Sequence, residues 1–407
     1  MGIKLTVIGG SGLYTPLLFD AIINNEAGID FDEVCLNGRT KSKLERIGQL
    51  SQNLIAKSDC DFDVTYTTDR QEALTGADIV LCQIRVGGMK ARADDEEFPL
   101  TYDIIGEETV GPGGFANALR TVPVMLNLAK EVEKYAPDAL FMNLTNPCSI
   151  VQQALEEKTN LNIIGICDLP VGMIQKMANL LEVDPAKIDV EYQGLNHLGW
   201  YTGVYVDGEN KIEELINKVE KLELGIDSNL IKKLNAIPLP YLKFYYHHKK
   251  EVNKAKNKEQ LRANELLATQ DEINNSLEKD LTKIPELIYQ RGAIWYSDVI
   301  VPLISALNQP QEKKFIVNLP NDGLISGVDD EVIVEVPAVI NSSGIKPLQV
   351  PNVSLEIKTI IQQSANYRNL ATQAALSQES NDILQALAAN PQVVDYDIAC
   401  EILENNL

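Results

Sequence analysis

The side chains best equipped for chemistry gather in two short segments, Gly165-Ile166-Cys167-Asp168-Leu169-Pro170 and Gly194-Leu195-Asn196-His197. A thiolate and an imidazole from separate segments form a donor set for one soft-to-borderline divalent cation, leaving coordination positions for substrate oxygens. A buried thiol and a core histidine are the competing account, and two donors alone do not decide between them. A second feature follows the strand-like run Lys4-Leu5-Thr6-Val7-Ile8, in the loop Gly9-Gly10-Ser11-Gly12-Leu13-Tyr14-Thr15-Pro16. Glycines there let the backbone approach a pyrophosphate, and a helix beginning next offers amide hydrogens and the positive end of its dipole. Thr15 stands where a G-x-G-x-x-G loop would place its last glycine. Position after a strand and before a helix, more than the pattern, therefore marks Gly9, Gly10, Ser11 and Gly12 as a dinucleotide loop rather than a tight turn.

Other charged and amide groups cluster after later strand-like runs. The second run ends Leu36-Asn37-Gly38-Arg39-Thr40-Lys41, with no acid to bond the adenosine ribose. Asn37 and Arg39 are the composition of a 2′-phosphate site, which favours NADP over NAD, or of a solvated polar turn; both readings stand. Arg85 and Arg92, in Gln83 to Arg92, suit a phosphate or carboxylate, or else surface pairs with Asp94, Asp95 and Glu96. The adjacent Glu107 and Glu108 raise each other's pKa if held together, although a helix N-terminus would equally accommodate them. The amide of Asn146, in Asn143-Leu144-Thr145-Asn146-Pro147, either faces a ligand or shapes a turn. Tyr241 opens an aromatic stretch, Tyr241 to Tyr246, whose ordinary role is core packing.

Strand-like runs at Lys4 to Ile8, Glu33 to Leu36, Asp63 to Tyr66, Ile79 to Ile84, Leu140 to Leu144 and Asn162 to Ile166 alternate with amphipathic stretches. That rhythm predicts an α/β fold whose N-terminal part is a Rossmann-type, doubly wound parallel sheet. After about Lys187 the pattern changes to α+β, with further helices expected from Tyr241 to Asp280 and from Val353 to Ala389. Extended segments are expected near Phe315 to Leu319 and Val332 to Val336. A chain of 407 residues with 45% hydrophobic side chains accommodates two domains, drawn at 1–187 and 188–407. The net charge of −22 argues against nucleic acid, while a few convergent arginines can still make a positive pocket in an acidic protein. No apolar run is long enough to span a membrane, and the first strand leaves no room for a signal peptide. Six dispersed cysteines without CxxC pairs fit a reducing, cytoplasmic setting.

Together these blocks resemble glycoside hydrolase family 4, the nicotinamide- and manganese-dependent 6-phosphoglycosidases. The likeness runs through Gly9, Gly10 and Tyr14-Thr15-Pro16, Arg85 to Arg92, Gly106-Glu107-Glu108-Thr109, Asn143 to Pro147, Cys167 to Pro170, Gly194 to His197, and Arg291-Gly292 with Tyr296-Ser297. It implies a C-terminal domain like that of lactate and malate dehydrogenases. It further implies that Cys167 and His197 bind Mn2+ or another divalent metal, that Asp168 protonates the leaving group, and that Tyr241 is the base, assisted by Glu108. Arg85, Arg92, Asn146, Asn196 and Arg291 are implied contacts to a phosphorylated disaccharide or aryl glucoside. The implied reaction is a redox-assisted elimination: hydride removal at the sugar C3, deprotonation at C2, loss of the aglycone, addition of water and return of the hydride. The family's usual NAD meets a departure at Asn37. Cys-Asp-x-Pro is similar to the 6-phospho-α-glucosidases, whereas length and whole-chain pattern favour the 6-phospho-β-glucosidases. A homodimer or homotetramer is the implied assembly. A hydroxyacid or sugar dehydrogenase, or a dinucleotide-sensing protein without catalysis, would share the architecture.

Overall fold

Six short parallel strands form one half of the sheet in a computed structural model that describes residues 2–25, 28–290 and 294–407. They are β1 (Ile3–Ile8), β2 (Phe31–Asn37), β3 (Asp63–Thr67), β4 (Ile79–Cys82), β5 (Leu140–Asn143) and β6 (Asn162–Gly165). Their spatial order is β3-β2-β1-β4-β5-β6, so chain order reverses between β1 and β4, where doubly wound sheets open their ligand crevice. The connecting helices are α1 (Pro16–Ile23), α2 (Lys41–Ile55), α3 (Arg70–Leu74), α4 (Gly88–Thr101), α5 (Gly111–Tyr135) and α6 (Cys148–Lys158), with α7 (Leu169–Leu181) following β6. Strands β4 and β5 are buried along their whole length because helices cover both faces. Alternation divides their side chains: Ile79 and Leu81 pack with Leu5, Val7 and Leu18 on one face, Val80 and Cys82 with Phe115 and Val122 on the other.

The sheet continues through β7 (Ile188–Leu195), β8 (Leu198–Val206), β9 (Glu209–Asn210), β10 (Ile237–Pro238), β11 (Lys313–Pro320), β12 (Ile333–Asn341) and β13 (Gly344–Pro347). Strand β11 joins β6 antiparallel at Asn318 opposite Gly165; β12 pairs with β11, and β7 meets β12 at Gly194 opposite Glu335. The result is a single 13-stranded mixed sheet. Gly165 permits the junction, since a Cβ there would lie 2.2 Å from Gln152 Oε1 and 2.8 Å from Asn318 Cβ.

The expected strands near residues 315 and 332 are β11 and β12. The helices expected from Tyr241 to Asp280 and from Val353 to Ala389 come as several pieces. The first becomes a 3-10 turn at Pro240–Leu242 and helices Lys243–Tyr246, His248–Lys256 and Arg262–Lys279. The second divides into Leu355–Ser377 and Ser380–Ala389, where Gln378 turns left-handed (φ 60°) and stops the ladder. Among the described residues, no helix is long and apolar enough to cross a membrane.

Helix α5 begins against the segment that carries Glu107 and Glu108. A Cβ on Gly113 would sit 2.1 Å from the Asp95 carbonyl oxygen and 2.6 Å from that of Glu107, and backbone atoms cannot swing aside. Gly113→Ala is therefore expected to cost roughly 1–3 kcal/mol, read as a lower urea midpoint. An unchanged midpoint would contradict this close approach.

Candidate active site

Two adjoining cavities, of about 460 and about 650 Å³, share Gly9, Gly12, Gln83, Ile84 and Arg85 in their walls. The larger receives the glycine loop. Gly9 adopts φ +91°, and the amides of Gly9 and Gly10 donate to the Asn37 carbonyl at 3.0 and 2.8 Å, tucking the loop against β2. A Cβ on Gly10 would lie 2.8 Å from Leu36 Cβ, so this approach requires glycine. Thr15 has its own reason to replace the last glycine. It is buried, and its Oγ1 accepts from Gln83 Nε2 at 3.1 Å, while Gln83 Oε1 accepts from the Tyr296 hydroxyl at 2.7 Å. Ser11, Asn37 and Arg39 also line the larger cavity.

The smaller cavity is where the catalytic candidates meet: Glu108, Asp168, His197 and Tyr241 line it, with Arg85 and Asn146. Asp168 occupies the N-cap position of α7, yet its carboxyl does not cap the helix amides. His197 is the second residue of the two-residue turn joining β7 to β8, in the left-handed region (φ 63°), which side chains with a Cβ seldom enter. Its Nδ1 lies 3.0 Å from Thr109 Oγ1. Burial, then the charge of Arg368, lowers its pKa to about 4, so the imidazole is neutral and Nε2 is the nitrogen left for a cation. Cys167 is buried outside the cavity lining, and burial with the charges of Glu335 and Asp168 pushes its thiol well up. A bound cation would have to displace that proton. Among the described residues no group of three or more His, Cys, Asp or Glu converges on a metal position. A cation held by Cys167 and His197 would therefore need further ligands from water or substrate oxygens.

Tyr241 is set by the edge of the sheet. Strand β10 pairs with β8, the Leu239 amide donates to the Gly199 carbonyl at 2.9 Å, and the turn beginning at Pro240 lays the Tyr241 ring 4.4 Å from that of His197. Its hydroxyl donates to Glu107 Oε1 at 3.0 Å. This corrects the expectation that Glu108 assists the tyrosine. Glu108 is buried, which alone would raise its pKa, but ion pairs with Arg85 and, at 3.0 Å, with Arg92 outweigh burial and lower it. Glu107 is pushed up to about 7 by burial and by the neighbouring Glu108 charge, and burial with both carboxylates holds the Tyr241 phenol well above its ordinary value.

Two other expected contacts lie elsewhere. Arg92 is buried between Glu96 (2.8 Å) and Glu108 and does not line the cavity, while Asp95 pairs with Arg120 at 2.5 Å. Asn196 faces away from the cavity, donating to Glu335 Oε1 at 3.1 Å and accepting on its carbonyl from Arg368 at 2.7 Å. Arg291 lies outside the described residues. Sequence reasoning missed Asn117, whose Nδ2 bridges the carbonyls of Glu108 (3.0 Å) and Asn146 (3.2 Å) at the cavity wall. It also missed Glu335, although a lone charge inside Val332-Ile333-Val334-Glu335-Val336 was a readable signal.

A parallel sheet with a glycine loop at its switch point, opening onto a cavity lined by Asp168, His197 and Tyr241, is the architecture of a dinucleotide-binding enzyme. Family models give the particular kind: residues 4–183 match Family 4 glycosyl hydrolase and residues 192–393 its C-terminal domain, so the chain belongs to glycoside hydrolase family 4 and is a glycosidase. It is 32% identical to a probable 6-phospho-β-glucosidase of Bacillus subtilis (strain 168), over 100% of this chain and 96% of the relative. It is 30% identical to the phospho-α-glucosidase PagL of Clostridium acetobutylicum, over 99% and 96%. The 6-phospho-β-glucosidase of Thermotoga maritima, solved with manganese, NAD+ and glucose-6-phosphate, superposes with a TM-score of 0.90 at 28% identity, covering 99% of this chain and 97% of that one. Malate dehydrogenase of Plasmodium falciparum (TM-score 0.57, 14% identity, 92% and 99% covered) shares the fold alone.

The two carboxylates differ in a way that stability can report. Burial pushes Glu107 up to about 7 in the folded protein against 4.5 for an ordinary glutamate, so its favourable contribution is complete below about 4.5 and lost as pH rises through 7. Glu107→Gln removes this loss. From pH 5 to pH 8 the variant is expected to gain roughly 1–3 kcal/mol relative to the parent in urea melts. A difference that does not change with pH would contradict the burial of Glu107 against Tyr241.

Proposed function

We propose that this chain hydrolyses 6-phosphoglucosides, with the β-anomers preferred, by elimination assisted by reversible oxidation of the sugar. The observation that carries this reading is the convergence of Asp168, His197 and Tyr241 on a cavity continuous with the dinucleotide loop. When bound, a nicotinamide dinucleotide supplies reversible hydride transfer, and Mn2+ held by Cys167 and His197 supplies Lewis acidity. Tyr241 takes the proton from C2, and its hydrogen bond to Glu107 gives its own proton an acceptor that titrates near neutrality. Asp168 protonates the departing glycosidic oxygen. Arg85 and Asn146 contact the phosphorylated sugar, with Arg291 as a further candidate, and Glu108 fixes the Arg85 side chain. Arg92 and Asn196 act through their neighbours, Arg92 by holding Glu108 and Asn196 by holding the turn that carries His197.

The six free thiols support a cytoplasmic setting, and family membership supports a homodimer or homotetramer. The test is turnover of nitrophenyl 6-phospho-α- and β-glucosides with Mn2+ and dinucleotide in deuterated water. Faster β turnover with deuterium at C2 of the product is expected, and Tyr241→Phe and Asp168→Asn should each lower kcat by about 10²–10⁴. Net accumulation of reduced dinucleotide, or product without deuterium at C2, would overturn the reading.

A further inference from the structure

We propose that the larger cavity selects NADP over NAD, with Arg39 and Lys43 taking the 2′-phosphate of the adenosine ribose. This rests on the dinucleotide reading above and sets this chain apart from the family's usual NAD.

An acid at the end of β2 would accept hydrogen bonds from a ribose diol. Asn37 stands there, buried, and its Nδ2 donates to the Thr67 carbonyl at 2.9 Å. A carboxylate in its place would set oxygen against oxygen, so the local structure is built for an amide and disfavours an acid. The next residue, Gly38, brings the chain close to the glycine loop, since a Cβ there would lie 2.9 Å from Ser11 Oγ. The exposed Arg39 and Lys43 follow, one on each side of the α2 start. Both line the cavity, and neither has an ion-pair partner among the described residues. Arg70 adds a third cation to the same wall, anchored at 2.6 Å to Glu131.

Charge in the lining decides the sense of the selection. The chain carries 58 acidic against 36 basic residues, yet no Asp or Glu among the described residues lines this cavity. The smaller cavity, by contrast, contains Glu108 and Asp168. A phosphomonoester brings about two negative charges and three acceptor oxygens, which an arginine fork and an ammonium match, whereas a ribose diol offers hydroxyls with no carboxylate to receive them.

Isothermal titration of the dinucleotide-free full-length protein with NADP+ and with NAD+, without sugar, tests this independently of hydrolysis. NADP+ is expected to bind at least about tenfold tighter, and 2′,5′-ADP to compete better than 5′-ADP by a similar factor. Arg39→Ala and Lys43→Ala should each lower the NADP+/NAD+ affinity ratio by about five- to tenfold; both side chains are exposed, and circular dichroism verifies their folding. Equal or tighter binding of NAD+, or a ratio unmoved by both substitutions, would overturn the selection while leaving the glycosidase reading intact. Failure to bind either dinucleotide would overturn both.

Discussion

The carboxylate of Glu335 is the point on which the two halves of the sheet depend. It is fully buried and accepts from the Tyr192 hydroxyl at 2.5 Å, Asn196 Nδ2 at 3.1 Å and Asn318 Nδ2 at 3.2 Å. Burial pushes its pKa up, while those donors and the Arg368 charge pull the other way. A buried charge costs several kcal/mol unless it is paired and hydrogen-bonded, so these partners are held to it by necessity. They come from β7, from the turn carrying His197 and from β11, which joins β6 just before Cys167. One desolvated group thus connects the strand seam to both candidate metal donors. Arg368 completes the arrangement by binding the Asn196 carbonyl and, at 2.9 Å, Ser149 Oγ.

Glu107 and Glu108 show how adjacent residues with the same side chain come to do opposite work. Glu108 meets Arg85 and Arg92, so its charge is favoured; Glu107 meets the Tyr241 hydroxyl and the field of Glu108, so its proton is favoured. Environments that push two titratable groups apart separate a fixed anion from a proton acceptor. Here the separation follows from which partners each side chain can reach after α5 packs against α4.

That division was not legible in the sequence, because Glu107 and Glu108 differ only in orientation across a bend. The glycine loop and the parallel strands were legible, since they depend on local periodicity and on residue types after strand ends. Tyr241 had the look of core packing, and only the residue pattern shared with a known family marked it as chemical. Its position depends on β10 pairing with β8, a contact across 36 residues between Ile237 and Tyr201 that hydrophobic patterning does not encode. Asn196 and Arg92 were placed at the substrate by the residue pattern shared with the family; in the fold their side chains lie in buried networks. The broken helices after residue 240 escaped for a related reason, since amphipathic spacing survives interruptions that a single left-handed residue such as Gln378 introduces.

The unbroken sheet has a mechanical meaning. A catalyst that removes a hydride from a sugar carbon and later restores it must bring the same two atoms together twice, with bond cleavage in between. In many dinucleotide enzymes a hinge between domains sets that meeting. Here hydrogen-bonded strands, spaced about 4.8 Å apart, run from β2 beside the glycine loop to β8 beside the turn of His197, joined at β6–β11 and at β7–β12 by one residue pair each. On the proposed reaction, this ladder is what joins the glycine loop at one end to the turn of His197 at the other.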